Sequence, residues 1–210
     1  MSTIKPSIPL ALILIVCAAA QVMAQAQVET IPDVIYGHKD GLAMTLDVIK
    51  PKANANGAAV IIMVSGGWVS NYSPPQQAAT RFKDLLDKGF TLIAVRHGSS
   101  PKYLIPEIVS DVRRSVRFIR HNAKQWGVDP NRLGVFGGSA DGDKDNLVPV
   151  KNSKVIHEAF QKNNVKTQLI IIEGAEHGFR GEDAKRAGAA MVAWFEQTLL
   201  KDKDGLKAKR

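Results

Sequence analysis

Four short runs of almost purely apolar residues set the fold: "AAVIIMVSGG" (58–67), "FTLIAVRHG" (90–98), "LGVFGG" (133–138) and "KTQLIIIEG" (166–174). A strand with one face in water alternates apolar and polar side chains; a continuous apolar run belongs to a strand covered on both faces. Between and after these runs lie segments with helical periodicity. They are "QQAATRFKDLLDKG" (76–89), "PEIVSDVRRSVRFIRHNAKQWG" (106–127), "KNSKVIHEAFQKNN" (151–164) and "GEDAKRAGAAMVAWFEQTLLK" (181–201). Pro106 and Gly127 punctuate the start and end of the longest one. Strand and helix in alternation imply an α/β fold, a mostly parallel sheet with helices on both faces.

Ahead of the first run, "DVIYGHKDG" and "AMTLDVIKP" alternate around the turn "HKDG", which predicts an antiparallel hairpin. Right-handed crossovers place consecutive parallel strands side by side. The expected sheet has the hairpin, then "VIIMV" flanked by "TLIAV" and "LGVFG", then "QLIII" at the far edge, where the single helix between them sets it beside "LGVFG".

Residues 1–26 are set apart. Lys5, an apolar run from Ile8 to Ala20 and small residues ending "VMAQA" have the layout of a secretory signal peptide, with cleavage after Ala24 or Ala26. The run is shorter than the roughly 20 residues of a stable membrane span. Val16 is bulky for the position before a lipid-modified cysteine. The expected organisation is a signal peptide over 1–26, one domain over 27–210 and export from the cytoplasm. Cys17, the only cysteine, leaves with the signal, so disulfides and thiol chemistry are excluded from the mature chain.

The formal charge of +8 is spread over the tail "KDKDGLKAKR" and over "DVRRSVRFIRHNAK". In the latter, Val112, Val116 and Ile119 recur at helical spacing and the arginines take the other face. No aromatic or glycine-rich recognition element accompanies them, so the reading is a solvated helix face, not a nucleic-acid surface.

In a parallel sheet, chemistry sits on loops at the carboxyl ends of the strands. These loops are "SGGWVSNYSPP", "RHGSSPKY", "GGSADGDKD" and "GAEHGF". Ser139 follows two glycines directly after a buried strand. That is the first half of Gly-x-Ser-x-Gly, although Asp141 stands where the second glycine belongs. Gly66 and Gly67 form either an ordinary Gly-Gly turn or a place where backbone N–H groups approach a developing oxyanion. His177 follows the last apolar run and suits a general base. His97 is a pocket candidate; His38, His121 and His157 read as surface or helix residues. Trp68, Tyr72 and Tyr103 are candidates to line an aromatic-accepting pocket. No His and carboxylate set on one element has metal-ligand spacing, so neither a metal nor another cofactor is expected.

With these segments in view, the chain resembles the α/β-hydrolases of the esterase/lipase type, near the feruloyl- and acetyl-esterase-like and prolyl-oligopeptidase-like branches. The carrying segments are "VIIMVSGGWVSNY", "VRHGSSPKYLIPEIVSDVRRSVRFIRHNAKQWGVDPNRLGVFGGSA", "GDKDNLVPVKNS" and "IIIEGAEHGF". The resemblance implies Ser139 as nucleophile, Asp145 as orienting acid, His177 as base, and oxyanion donors at Gly66 or Gly67 and at Ala140. It implies a small ester substrate, polysaccharide-linked acyl groups among the options.

Two departures stand out. Val64 and Ser65 replace the His and first Gly of the "HGGGW" that many relatives carry. After "GGSA" the chain passes within six residues to "GDKD", where the family interposes a helix and further strands. "LGVFGG" thus serves both the nucleophile and the acid, and no helix is expected to start at Ala140. Two functions follow as expectations: an exported serine esterase working through an acyl-enzyme, or a non-catalytic, internally shortened scaffold.

Overall fold

The computed structural model describes residues 28–138, 149–175 and 177–201. The hairpin forms as expected, from β1 (Val28–Lys39) and β2 (Leu42–Pro51). Its turn at Asp40-Gly41 puts both residues at positive φ, as the tight hairpin connection requires. Three of the four apolar runs are strands: β3 (Ala59–Met63), β4 (Thr91–Val95) and β5 (Leu133–Phe136). The sheet order is β1-β2-β4-β3-β5. β2 joins β4 antiparallel through Leu46 and Val95, and β3 lies parallel to both β4 and β5. The placement of "VIIMV" between "TLIAV" and "LGVFG" is as expected.

Alternate side chains of the central strands enter two separate cores. Leu46, Val48, Ile61, Ile93 and Val95 pack on one side with Ile119 and Trp126, from α3 (Ile105–Asn122) and the single 3₁₀ turn Ala123–Trp126 after it. Val60, Ile62 and Leu92 pack on the other side with Phe82, Leu85, Phe90 and Phe195. Phe195 ends α5 (Gly181–Phe195). Helices therefore cover both faces of β3 and β4, which is why these read as unbroken apolar runs. The expected burial of "LGVFGG" is corrected, since no residue of the edge strand β5 is buried and Val135 is exposed. Each fully buried Ile or Leu here contributes about 1.5–3 kcal/mol relative to exposure.

Two local expectations are corrected. The helix read over 76–89 is broken at Phe82 into α1 (Pro75–Arg81) and α2 (Lys83–Asp87). Phe82 leaves helical geometry (φ −111°, ψ 29°) while its ring is buried in the core, so packing of one aromatic overrides helical continuity. The segment 166–172 is not a strand. β5 has only four residues and contains Gly134, and Gly137 and Gly138 follow it; glycines weaken a ladder. Gly134 is needed because a β-carbon there would stand 2.6 Å from the Phe195 ring, so close approach of α5 takes precedence over strand propensity. The expected pairing of "QLIII" with "LGVFG" is absent. α4 (Lys151–Lys162) follows the expected helix over 151–164, but none of its side chains is buried.

The arginines of α3 face outward, and Arg114 and Arg120 donate to the carbonyls of His38 and Pro130. The basic stripe is thus a solvated face, as its spacing predicts. No described helix is long and apolar enough to cross a membrane. The expected signal segment, residues 1–26, lies outside the described residues.

The hairpin is fastened to the sheet by Arg96, just beyond β4. Its Nη1 and Nη2 donate to the two carboxylate oxygens of Asp47 (2.6 and 2.8 Å), and its Nε to Thr45 Oγ1 (3.0 Å). Asp47 is 1% exposed, and the hydrogen bond from Arg96 is the largest influence holding that guanidinium charged above its ordinary range. Tyr36 donates its hydroxyl to the Arg96 carbonyl (2.6 Å). Burial pushes the Tyr36 phenol well above its usual range.

Removing one partner of a buried pair strands the other, so Asp47→Ala is expected to lower unfolding free energy by about 3–5 kcal/mol in urea titrations. Tyr36 adds an alkaline signature. A raised phenol pKa stabilises the fold fully below the unfolded value near 10, and that contribution is lost as pH climbs from there towards the folded value. Tyr36→Phe should flatten this alkaline loss of stability, at a neutral-pH cost of about 1 kcal/mol.

Candidate active site

The loop after β3 is a tight turn. Gly66 and Val69 exchange backbone hydrogen bonds (2.9 and 3.0 Å), and the central residues Gly67 (φ 54°) and Trp68 (φ 65°) are both left-handed. That conformation is ordinary for Gly67 and an outlier for a bulky side chain such as Trp68. Such strain persists only where the surroundings enforce it. Here they do so through the loop after β4. Ser70 Oγ donates to Val64 O (2.5 Å) and accepts the His97 N–H (3.2 Å); the Ser70 N–H donates to Ser99 Oγ (2.9 Å). The Ser100 N–H reaches Trp68 O (3.0 Å).

The second loop is held in turn by α3. Asp111, buried on that helix, accepts the Gly98 N–H (3.1 Å) and the Lys39 ammonium (3.0 Å). Lys39 also sits 4.0 Å from the centre of the Tyr103 ring. The "SGGW" and "RHGSS" loops therefore form one clasped unit at the carboxyl ends of β3 and β4.

Between this unit, α1 and the end of β5 lies a cavity of about 330 Å³. Its wall includes Ser65, Gly66, Tyr72, Arg81, Phe136 and Gly138. Gly138 is the residue before Ser139, so the chain enters "GGSA" at the cavity. Ser139, Ala140 and Asp145 lie outside the described residues. His177 is described: it is exposed, on the bend between segment 166–172 and α5.

The other sequence candidates separate cleanly. Tyr72 lines the cavity, its exposed ring 5.5 Å from the Arg96 guanidinium. Trp68 is exposed on the turn, and Tyr103 is buried under Lys39. His97 is buried too, its Nδ1 donating to Gly98 O (2.7 Å), and so is walled off from the cavity. His38 and His121 are exposed, and His157 pairs with Thr167 Oγ1 (3.1 Å). The Gly66 N–H is taken up by Val69, whereas the Gly67 N–H takes no part in the turn. Sequence reading missed Arg81 and Ser70. Arg81 looks like any helix-face cation until α1 ends at the cavity, and a serine in "WVSNY" gives no signal of the loop it ties.

Sheet order, helices on both faces and a cavity at the strand ends are the architecture of an α/β-hydrolase, and its relatives make it one of the esterase type. Residues 46–172 match the BD-FAE family, and the chain belongs to that family. Among curated relatives, it is 25% identical to the probable carboxylic ester hydrolase LipM of Mycobacterium tuberculosis, over 66% of this chain and 33% of that one. It is 28% identical to esterase LipQ of the same organism, over 65% and 33%. To mouse arylacetamide deacetylase it is 27% identical, over 63% and 33%. The chain thus spans about a third of the length of these relatives. Native esterase 2 of Thermogutta terrifontis shares the fold, with a TM-score of 0.68 and 18% identity over 85% of this chain and 95% of that one.

Ser70→Ala should leave both the His97 N–H and the Val64 carbonyl without their hydroxyl partner. The expected cost is about 1–3 kcal/mol in chemical denaturation, with faster amide hydrogen exchange at His97 and Ser100. Unchanged exchange there would show that the two loops are not clasped through this hydroxyl.

Proposed function

We propose that this chain is an exported carboxylic-ester hydrolase acting through an acyl-serine intermediate. Ser139 is the nucleophile, His177 takes its proton and returns it to the leaving alcohol, and Asp145 orients the imidazole. Because Gly66 is committed to its turn, the N–H groups of Gly67 and Ala140 are the oxyanion donors in this reading. The single supporting observation is the cavity itself, which brings the Gly66–Val69 turn beside Gly138, the residue ahead of Ser139. The substrate is a small ester, polysaccharide-linked acyl groups being one source. Cleavage after Ala24 or Ala26 gives a mature chain starting at Gln25 or Gln27, which N-terminal sequencing of the exported protein checks.

The second reading, a non-catalytic hydrolase scaffold, is favoured by one observation: segment 166–172, which leads to His177, is not anchored in the sheet. A base must be held to within about half an ångström, and a bend outside the ladder holds it less firmly. One experiment separates the two. On the first reading a fluorophosphonate probe labels Ser139 stoichiometrically, and Ser139→Ala abolishes both labelling and p-nitrophenyl acetate hydrolysis. Equal rates for wild type and variant establish the scaffold.

A further inference from the structure

Among the described residues the cavity wall carries one charged side chain, and it is positive. Arg81, the last residue of α1, brings its Nη2 to 3.8 Å from the position a β-carbon would take on Gly138. Its guanidinium lies 5.4 Å from the centre of the Phe82 ring, and Phe82 packs edge-on against Phe136 at 5.1 Å. Phe136 also lines the cavity, so the cation is steadied by the same aromatic pair that forms the wall. No ion pair joins Arg81 to a carboxylate among the described residues. The remaining polar side chains of the wall among the described residues are neutral, from Ser65, Asn71, Tyr72, Ser73 and Gln77.

We infer that Arg81 makes this cavity selective for esters whose acyl part ends in a carboxylate, that is, for half-esters of short dicarboxylic acids. The inference rests on the esterase reading above and adds the substrate class to it. A guanidinium presents a planar fork that pairs two N–H groups with the two oxygens of a carboxylate. Arg81 is exposed, so the pairing is that of a solvent-accessible guanidinium and weakens as salt screens it. Length follows from the chain. Ser139 is one peptide unit, about 3.8 Å, beyond Gly138, so the anion site and the nucleophile are close enough for an acyl chain of four or five carbons to bridge. Volume agrees: about 330 Å³ corresponds to about ten water-sized groups, enough for such an acyl chain and too little for a long fatty acyl tail. The competing account is that Arg81 merely complements the carboxyl end of the α1 dipole; that role predicts an effect on stability and none on selectivity.

The test compares p-nitrophenyl hydrogen glutarate with its neutral analogue p-nitrophenyl pentanoate. Wild type should show a kcat/KM ratio at least tenfold in favour of the anionic ester, falling with added salt. Arg81→Met should bring the ratio towards one, with Arg81→Lys intermediate. A second arm needs no turnover: calorimetric titration with glutarate and with glutaramide, where only glutarate should bind and only when Arg81 is present. If both esters are hydrolysed with the same ratio in wild type and Arg81→Met, the inference is overturned and the esterase reading stands. If neither ester is hydrolysed, the esterase reading falls; glutarate binding that depends on Arg81 then keeps the anion site, and its absence removes that as well.

Discussion

The bidentate pair between Arg96 and Asp47 is the contact on which the arrangement of this molecule depends. β1 and β2 make a local hairpin, and a lone hairpin is marginal in water. It becomes part of the domain through four residue pairs with β4, and the Arg96 guanidinium closes that seam at its end. Arg96 also donates to Asp33 (2.9 Å), whose own N–H donates to Asp47 Oδ1 (2.9 Å). The buried Asp47 carboxylate is therefore both paired and hydrogen-bonded within one network, the condition under which a buried ion pair does not cost more in desolvation than it returns. From the same residue the chain turns into the loop clasped to "SGGW". The seam of the hairpin and the loop that braces the cavity wall are consecutive in sequence.

That continuity explains how the "SGGW" and "RHGSS" loops are braced. The strand ends fix where each loop starts, Asp111 on α3 fixes the second loop from behind, and paired serines tie the first to the second. A left-handed Trp68 is the local strain that this bracing sustains. Its φ was invisible in the sequence, because nothing in "SGGWVS" distinguishes a turn centred on Gly66-Gly67 from one centred on Gly67-Trp68.

Much of the fold was legible because burial on two faces leaves a plain trace: unbroken runs of Val, Ile and Leu at β3 and β4. The hairpin was legible from alternation and Asp-Gly. "LGVFGG" was recognised although one of its four strand residues is a glycine, since its place between helices carried the inference. The failures share a cause. "TQLIII" has strand composition, but a strand also needs a neighbour with enough ladder to offer, and four residues interrupted by glycine offer little. The Phe82 break was hidden because helical spacing records which side of a segment is apolar, not how deep one ring must reach. The site was legible as a set of loops; which side chains face the cavity, Arg81 against Tyr103, depends on packing that periodicity does not encode.

The strand order carries a consequence for how the chain is made. β2 and β3 are neighbours in sequence, yet β4 lies between them in the sheet. During synthesis the hairpin emerges first, and β3 follows with nothing to dock on. Until residues beyond Val95 have left the ribosome, the apolar edges of both wait open, because the strand that joins them has not been delivered. Pairs this distant in sequence close slowly. The sheet is thus assembled by insertion at its centre, with β4 as the last piece of its middle to arrive, and Arg96 is the next residue out.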